Sequence, residues 1–410
     1  AALLDTKGPE IRIGDVEGGK LELKPGQEFT LTTEEMLGTE KKVTITYKEL
    51  YKDVEPGDSI LIDDGLIGME VVRIDESDIV CRVKNGGFIS NHKGVNVPGV
   101  ELNMPFVSPK DLADIVFAVE QDYDFIAASF TRTAEDIMEI RKILQEHGGE
   151  KIHIIAKLEN KQGVKNCEDI LRVADGIMIA RGDMGVEIPL EEVPVIQKEL
   201  IRKAMHMGKP VITATQMLDS MIRNPRPTRA ETTDVANAIY DGTSAVMLSG
   251  ESAAGKYPVD AVRNMAEIAE YTESQIKYTK RFRTSDFETR SIQDAISHAT
   301  CAMAVDVQAK CIVASTLSGT TARMVSRFRC PVDIIGMTTS EKVWRKLNLS
   351  WGVTPVLCEE FSSMEVMFYH AMKKAKEVFS LQSGDAVVLT GGLINGKVGN
   401  TNVIKVETVK

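Results

Sequence analysis

The sequence has 410 residues, of which 43% are hydrophobic and 27% charged, and its formal net charge is -11. This length allows two or three domains with sizeable cores, and the acidic balance argues against nucleic-acid binding, which requires a basic face. No apolar run reaches membrane-spanning length and no signal peptide is visible, so we expect no membrane partner and a cytoplasmic location. The six cysteines lack metal-ligand spacing and are interpreted as buried, reduced side chains.

The first predicted element is a short buried strand, residues 1–4, which runs into Asp5-Thr6-Lys7-Gly8. Because the sequence starts on a strand and lacks an initiator methionine, we expect a fragment whose earlier strands lie upstream. From about residue 11 to residue 103, short alternating runs are separated by turn pairs such as Pro25-Gly26 and Asn85-Gly86. This pattern predicts a small all-β insertion without a helix.

Strands and helices alternate after this insertion, beginning with a helix that Ser108 is expected to cap. Further strands are predicted near residues 125, 152, 176, 210 and 245. Together with the first strand they make six, and such alternation favours a (β/α)8 barrel whose first two units we expect to precede the sequence.

A polar stretch, residues 274–290, is interpreted as a connection to a separate domain. Beyond it, a helix is predicted at 292–307 and strands at 311–315, 332–338, 353–358, 386–390 and 402–406, which is typical of a doubly wound α/β domain. The predicted division is therefore a discontinuous barrel of residues 1–10 and 106–273, a β insertion of residues 11–105, and a C-terminal domain of residues 274–410.

Two consecutive predicted strands end in charged residues, at Lys157-Leu158-Glu159 and at Arg181-Gly182-Asp183. The carboxyl ends of strands in α/β sheets and barrels face the ligand, so these side chains are expected at one mouth. Two carboxylates there suit Mg²⁺, and a lysine supplies positive charge for a phosphoryl group or a developing enolate. The alternative is a surface salt bridge at the strand ends.

Six motifs in this order resemble the pyruvate kinase family, and the resemblance spans essentially the whole sequence. They are Leu4-Asp5-Thr6-Lys7-Gly8-Pro9-Glu10-Ile11-Arg12, Lys157-Leu158-Glu159-Asn160, Ala180-Arg181-Gly182-Asp183, Ile212-Thr213-Ala214-Thr215-Gln216-Met217-Leu218, Arg226-Pro227-Thr228-Arg229-Ala230-Glu231 and Met247-Leu248-Ser249-Gly250-Glu251. The resemblance implies a barrel catalytic domain, a β lid inserted after its third strand and a C-terminal regulatory domain. It also implies phosphoryl transfer from phosphoenolpyruvate to ADP, followed by protonation of the enolate to pyruvate.

Catalytic roles follow from the resemblance residue by residue. Glu159 and Asp183 match the ligands of Mg²⁺ (or Mn²⁺), and Lys157 matches the lysine that binds substrate and stabilises transition-state charge. The backbone of Gly182 and Asp183 matches the site for the substrate carboxylate. Thr215 is expected to bind substrate and to belong to the proton-delivery path, through water rather than directly.

The nucleotide and the monovalent cation are assigned in the same way. Arg12 and Lys93 match the nucleotide-phosphate contacts, with Lys93 on the lid. Asp5 and the Thr6 carbonyl match part of the K⁺ site. Glu10 stands where members that depend on K⁺ resemble this sequence and independent members have a lysine.

A hydroxyl-rich loop in the C-terminal domain follows a buried strand and opens a helix, which suits a phosphate. The family binds phosphorylated effectors there, so the effector residues are expected to be Thr316, Ser318, Gly319, Thr320 and Thr321. A plain strand–helix turn is the alternative for this loop. The second loop, residues 391–396, lacks the Trp-Arg effector clamp of some members. The resemblance also implies a homotetramer.

Two alternatives stay open at this point. One is a Mg²⁺-dependent enolate aldolase or lyase barrel, which shares the carboxylates at the strand ends but has no second nucleotide substrate to enclose. The other is a non-catalytic fragment that binds effectors or acts as a scaffold, because six strands would fail to close a barrel. The family's phosphoryl-binding arginine and part of its K⁺ site would lie upstream. For that reason the sequence as written is expected to be catalytically incomplete. Asp64 is interpreted as a hairpin residue rather than a ligand.

Overall fold

The structure is a computed structural model that describes residues 1–361, 363–392 and 401–410. Its strands form a six-stranded sheet, a seven-stranded sheet with an additional two-stranded pair, and a five-stranded sheet, in that order along most of the chain. Residues 393–396 of the second predicted effector loop lie outside the described residues. No helix in the described ranges is long and apolar enough to span a membrane.

The six-stranded sheet is entirely parallel, and its strands follow one another in chain order. This confirms the six predicted strands, whose bounds are Leu3–Asp5, Phe125–Ala128, His153–Leu158, Gly176–Ala180, Val211–Ala214 and Ala245–Val246. Three of them are buried along their full length, which explains their lack of polar alternation.

Helices cover one face of this sheet and form its main core. Their apolar faces contribute residues such as Ile137, Ile170 and Leu200, which pack on Ile154 and Ile177 from the strands. Longer helices span Pro109–Glu120, Ala134–Glu146, Val193–His206, Arg229–Asp241 and Pro258–Gln275, and shorter ones Lys161–Lys165, Cys167–Val173, Arg181–Glu187 and Gly250–Ala253.

Several of these helices begin with a capping box, in which a hydroxyl and a carboxylate each accept a bond from the other's backbone. Ser108 accepts from the backbone N–H of Asp111 and Asp111 from that of Ser108, as predicted, with Pro109 in the first turn. Thr133 and Thr228 cap the helices at Ala134 and Arg229 in the same way. Each such cap contributes about 1 kcal/mol and defines where the loop at the carboxyl end of the preceding strand stops.

The insertion is built from antiparallel strands, with one parallel pair at its edge. The strands are Ile11–Arg12, Lys20–Leu23, Glu28–Thr32, Lys42–Thr44, Ser59–Ile62, Ile67–Asp75, Asp78–Val83, Gly87–Ser90 and Gly94–Asn96. The expectation of no helix was wrong, because one turn of helix spans Leu50–Asp53 and a 3-10 turn spans Glu17–Gly19. Burial of Leu50 and the bond from the Tyr47 hydroxyl to Asp53, 2.7 Å long, hold that helical turn.

The C-terminal sheet has four parallel strands and one antiparallel edge strand. Its strands are Cys311–Ser315, Asp333–Thr338, Val353–Leu357, Ala386–Gly392 and Thr401–Thr408, and its helices are Ile292–Asp306, Thr320–Ser326, Glu341–Leu347 and Met364–Val378. The predicted connection is not wholly irregular, since a helix spans Tyr278–Arg283. Its Phe282 is buried against His298 and Phe328, an apolar contact that the polar composition of the stretch conceals.

The helix Glu341–Leu347 docks the C-terminal sheet onto the barrel through charged side chains. Arg345 Nε lies 2.8 Å from Asp124 Oδ1, and Arg345 Nη2 lies 2.7 Å from Asp122 Oδ2. Asp124 is only 1% exposed, so its charge depends on Arg345 and on the backbone N–H of Ala2, 2.8 Å away. Lys346 Nζ donates to the Lys151 carbonyl across the same junction.

The residue boundaries of the three predicted domains stay a proposal.

Removal of this arginine is expected to weaken the junction. Arg345→Met should lower the free energy of unfolding by about 1–3 kcal/mol, because the buried Asp124 carboxylate loses its charged partner. Arg263→Met is the matched control, since its partner Asp260 is exposed, and should cost less than about 0.5 kcal/mol. Urea unfolding measures both. Equal losses in the two variants would contradict the role given to Arg345.

Candidate active site

The carboxyl ends of the strands bring the predicted residues together. Along His153–Leu158 side chains alternate, so Ile154 and Leu158 face the helices while Ile155 belongs to a second apolar cluster with Met178 on the inner face. Lys157 shares the inner face with Ile155, and Glu159 follows directly after the strand. The next strand, Gly176–Ala180, runs into the helix whose first turn contains Asp183.

The ammonium of Lys157 contacts three acceptor groups. Its Nζ is 3.1 Å from Asp5 Oδ1, 2.9 Å from Ser129 Oγ and 3.2 Å from Glu159 Oε1. Burial by itself lowers the pKa of Lys157, but the carboxylates of Glu159 and Asp5 outweigh it, so that the pKa lies above its usual value. The site therefore contains a fixed ammonium at neutral pH.

Glu159 is fully buried beside this ammonium. Its Oε2 accepts a 2.6 Å hydrogen bond from the backbone N–H of Phe130, whereas the contact of Oε1 in the described residues is an ion pair with Lys157 Nζ at 3.2 Å, without an aligned hydrogen bond. Burial raises the pKa of Glu159 to about 7; Lys157 opposes that shift and Asp183 adds to it. A buried carboxylate whose pKa stays raised in spite of this ion pair is a group that a further cation would stabilise.

Asp183 completes the pair of carboxylates. Burial raises its pKa above the usual value, and although Lys157 opposes the shift, the charge of Asp64 adds to it. No cluster of three or more His, Cys, Asp or Glu suited to a metal occurs in the ranges that the structure describes. The residues fit a hard divalent cation all the same, because Mg²⁺ is commonly held by one or two carboxylates with substrate oxygens and water completing its shell.

Thr215 sits in a strained turn at the end of the strand Val211–Ala214. Its φ is 67° and that of Gln216 is 54°, both in the left-handed region that side chains other than glycine rarely adopt. The Thr215 hydroxyl donates to the Ala214 carbonyl and accepts a 2.7 Å bond from the backbone N–H of Gly182. The predicted residues Gly182 and Thr215 are thus in direct contact, and the Gly182 N–H is engaged by the threonine.

Arg181 holds this turn, a role that the sequence analysis missed. Its guanidinium donates to the Thr215 carbonyl at 2.7 Å and to the Ala214 carbonyl at 3.2 Å, and pairs with Asp234 at 2.6 Å. These bonds compensate the strained backbone with charge-assisted contacts. The sequence did contain a signal for this role, because Arg181 lies in a family motif directly before Gly182.

Ser129 is a second residue that the sequence analysis missed. Its hydroxyl lies 2.7 Å from the Thr6 carbonyl and 3.1 Å from Asp5 Oδ1, and it accepts from Lys157. The two predicted K⁺ ligands, Asp5 and Thr6, therefore converge on one hydroxyl beside the ammonium. Ser129 follows the buried strand Phe125–Ala128 directly, so the strand-end rule applied to Lys157 would have identified it.

A cavity of about 470 Å³ opens between the strand ends and the insertion, and it includes Asp183 and Asp64. Arg12 and Lys93, predicted from different parts of the chain, both line it. Arg12 donates to both carboxylate oxygens of Glu10, at 2.7 and 2.8 Å, and Lys93 pairs with Asp63 at 2.7 Å. Three further cations on its wall were not predicted: Arg132, Lys161 and Lys165.

The predicted effector residues lie in the C-terminal sheet, on the loop before the helix Thr320–Ser326. Gly319 has a φ of 82°, which lets the chain turn into the helix. The hydroxyls of Ser318 and Thr320 are 2.8 Å apart, and that of Thr321 is buried against Thr401. The backbone N–H of Thr316 donates to Met337, within the sheet.

Comparisons with known proteins agree along the whole chain. Residues 1–262 match the family described as pyruvate kinase, barrel domain, and residues 294–407 match pyruvate kinase, alpha/beta domain. A pyruvate kinase of Clostridium acetobutylicum is 50% identical over 412 aligned residues, covering 100% of this chain and 87% of that protein. One of Bacillus licheniformis is 50% identical, covering 99% and 70%.

The similarity extends to solved structures. The crystal structure of a pyruvate kinase from Cryptosporidium parvum superposes with a TM-score of 0.93 at 40% identity, covering 100% of this chain and 84% of that one. Such agreement of fold and sequence supports the first interpretation of the motifs and not the aldolase or lyase alternative.

The high pKa of Glu159 has a consequence for stability. Since its folded pKa, about 7, exceeds the value of roughly 4.3 for an exposed glutamate, the stability it contributes is present at low pH and lost as pH rises through 7. Without divalent cations, the unmodified protein should lose about 1–3 kcal/mol relative to Glu159→Gln between roughly pH 5 and pH 7.5. Urea unfolding across this range, with the exposed Glu150→Gln as control, tests it. A pH-independent difference would contradict the shift.

Proposed function

The chain belongs to the pyruvate kinase family of phosphotransferases, and on that premise we propose how its residues transfer a phosphoryl group from phosphoenolpyruvate to ADP. The observation that carries the proposal is the group formed by Lys157, Glu159 and Asp183. It combines one fixed ammonium with a buried carboxylate, Glu159, and a partly buried one, Asp183, whose pKa values are both raised. Phosphoryl transfer needs positioning and charge neutralisation rather than a covalent nucleophile, and this group supplies both.

Glu159 and Asp183 are the proposed ligands of Mg²⁺ or Mn²⁺. The burial of Glu159, whose Oε1 lacks an aligned hydrogen bond, and the mutual repulsion of the two carboxylates support this assignment. When bound, the ion supplies neutralisation of the phosphoryl and enolate oxygens. The carboxylates themselves hold the ion at the mouth of the strands, next to the cavity that Asp183 lines.

Lys157 is the proposed stabiliser of negative charge during transfer. Asp5, Ser129 and Glu159 hold its Nζ from three sides, so little reorganisation is needed as charge develops on the substrate. Because the ammonium stays protonated, it acts as a fixed charge rather than as a general base.

Thr215 and the backbone of Gly182 and Asp183 are the proposed contacts to the three-carbon part of the substrate. The strained turn points to function, since its cost of about 1–3 kcal/mol persists only where the surroundings enforce it. Binding of the substrate carboxylate at Gly182 N–H would release the Thr215 hydroxyl from the bond seen here. The released hydroxyl could then pass a proton through water to the enolate.

Arg12 and Lys93 are the proposed nucleotide-phosphate contacts. Both line the cavity between the strand ends and the insertion, and both are neutralised by acidic neighbours, Glu10 and Asp63. Lys161 and Lys165 on the same wall add positive charge for a polyphosphate. Closure of the insertion over this cavity would exclude water from the reaction.

A K⁺ site at Asp5 and the Thr6 carbonyl is also proposed from the family resemblance and the geometry of these residues. Both oxygens lie within 3.1 Å of the Ser129 hydroxyl, so they face one point.

A phosphorylated effector at residues 316–321 and a homotetrameric assembly are also proposed. Support for the effector comes from the paired hydroxyls of Ser318 and Thr320 beside Arg323, which donates to both residues.

The role of Lys157 gives the main test of the proposed function. Lys157→Met should lower turnover of phosphoenolpyruvate with ADP by about three orders of magnitude or more while the KM changes little, because the ammonium acts mainly on the transition state. Lys198→Met removes an exposed lysine paired with Asp241 and serves as the control. Steady-state pyruvate formation is the measurement. Turnover above about a tenth of the parent value would remove Lys157 from this role.

The proposed metal ligands have their own test. Asp183→Asn should raise the Mg²⁺ concentration for half-activation by about tenfold or more, because it removes one anionic oxygen from a small set. Asp169→Asn, at an exposed position on the neighbouring helix, should leave the activation curve unchanged. Mg²⁺ titration of pyruvate formation decides it. Identical curves for Asp183→Asn and the parent would place the metal elsewhere.

Glu10 connects the nucleotide cavity to the K⁺ requirement. We expect turnover to fall about tenfold or more without K⁺, and Glu10→Lys to remove most of that loss, because its ammonium supplies the missing charge in place. Glu10→Gln is the matched control: it also breaks the pairs with Lys7 and Arg12 but adds no cation, so it should still need K⁺. Turnover is measured with tetramethylammonium replacing K⁺. Full activity of the parent in that buffer would contradict the assignment.

A further inference from the structure

A small cavity lies at the junction of the barrel and the C-terminal sheet, away from the strand ends described above. It has room for a small guest and is partly open to solvent. Four cationic side chains line it: Lys209 from the barrel, and Arg323, Arg327 and Arg329 from the helix Thr320–Ser326 and the turn after it. No carboxylate is among the described residues that line this cavity.

Three of these cations have no carboxylate within salt-bridge distance in the described ranges. Arg329, which is 4% exposed, donates only to neutral oxygens, at Gly242, Ser326 and Ser244. Lys209 Nζ donates to the Ala174 carbonyl. The residues that the structure does not describe, 362 and 393–400, contain no Asp or Glu in the sequence. These three charges therefore lack a salt-bridge partner, although the more distant charges of Asp175 and Glu273 partly offset those of Lys209 and Arg329.

Arg323 is the third such cation, and it donates to the carbonyl of Ser318 and the hydroxyl of Thr320. Burial lowers the pKa of Arg329 to about 9 and also lowers that of Arg323, although Asp175 partly opposes the shift at Arg323. Like charges brought together without water are costly unless a counter-charge is present. The junction as it stands carries an excess of positive charge.

Arg327 adds an independent observation. It is 6% exposed, and its guanidinium pairs with Asp294 at 3.0 Å and donates to the His206 carbonyl at 3.1 Å. Its Nε, however, is buried and has no acceptor in the described part of the chain. A buried guanidinium N–H without an acceptor leaves a strong donor unsatisfied, which native interiors rarely tolerate.

We propose that this cavity binds a small monovalent inorganic anion of halide size, such as chloride. An anion there would accept from the free Arg327 Nε–H and would offset the charges of Lys209, Arg323 and Arg329 together. None of residues 316–321 lines this cavity, so the site is separate from the hydroxyl-rich loop. A neutral water would satisfy the donor but would leave the charges unbalanced.

The anion has a structural consequence, because its neighbours come from both sides of the junction. Lys209 and Ser244 belong to the barrel, whereas the arginines belong to the C-terminal sheet, so one bound ion would hold the two together. Arg323 extends the contact to the proposed effector loop through Ser318 and Thr320. Occupancy of the site should therefore stabilise the arrangement of both.

Bromide provides a direct probe, since it replaces chloride and scatters anomalously. Crystals of the unmodified protein grown in bromide should show an anomalous peak between Lys209, Arg327 and Arg329. In solution, chloride should raise the unfolding temperature by about 2 °C or more in a saturable way, compared with gluconate at the same ionic strength. Absence of a bromide peak among these side chains would overturn the proposal.

A matched pair of variants separates the site from general salt effects. Lys209→Met removes one cation that lines the cavity. It should weaken chloride binding, so that the chloride concentration for half-saturation rises about tenfold or more. Lys203→Met, on the preceding helix turn, removes a lysine that pairs with Glu168 and does not line the cavity, so its chloride response should equal that of the parent. A chloride-dependent shift of the same size in Lys209→Met as in the parent would likewise overturn the proposal.

Discussion

The constraint on which the site depends is the parallel register of the barrel strands. Pairing of Leu3–Asp5 with Phe125–Ala128, and of that strand with His153–Leu158, places the ends of three strands side by side. As a result Asp5, Ser129 and Lys157 meet although more than 120 residues separate the first from the second. A shift of one residue in this register would turn Lys157 towards the helices. Its ammonium would then lose contact with the carboxylates at the strand ends.

Much of the fold was predictable because buried parallel strands give uninterrupted apolar runs, which are rare elsewhere in a soluble protein. The same logic located Lys157, Glu159 and Asp183, since strand ends are identified as soon as strands are. The helix at Tyr278–Arg283 was not predicted, because its stability comes from burying one side chain, Phe282, rather than from an amphipathic pattern. Short elements of this kind depend on tertiary contacts.

The supporting residues of the site were harder to predict for a related reason. Arg181 acts through carbonyl groups of a strained turn that local sequence does not reveal, since nothing in Thr215-Gln216 predicts two left-handed residues in succession. Ser129 acts by joining two residues from the start of the chain to Lys157. Both contacts exist only after the strands have assembled, so the sequence identifies the charged groups better than what orients them.

Buried charges are incompletely paired both at the carboxyl ends of the barrel strands and at the junction with the C-terminal sheet. At the carboxyl ends of the strands, Lys157 offsets only part of the negative charge of Glu159 and Asp183, and a cation from solution is the proposed counter-charge for the rest. At the junction with the C-terminal sheet, Lys209 and Arg329 have no salt bridge to a carboxylate in the described residues, which leaves positive charge in excess. In both places the pairing of charges within the described residues is incomplete, and the proposed ligand is a small ion of the opposite charge. The proposed ligands differ in kind: the first site, beside a cavity of about 470 Å³, would bind a cation together with the substrates, whereas the second would bind one small anion at the junction with the C-terminal sheet.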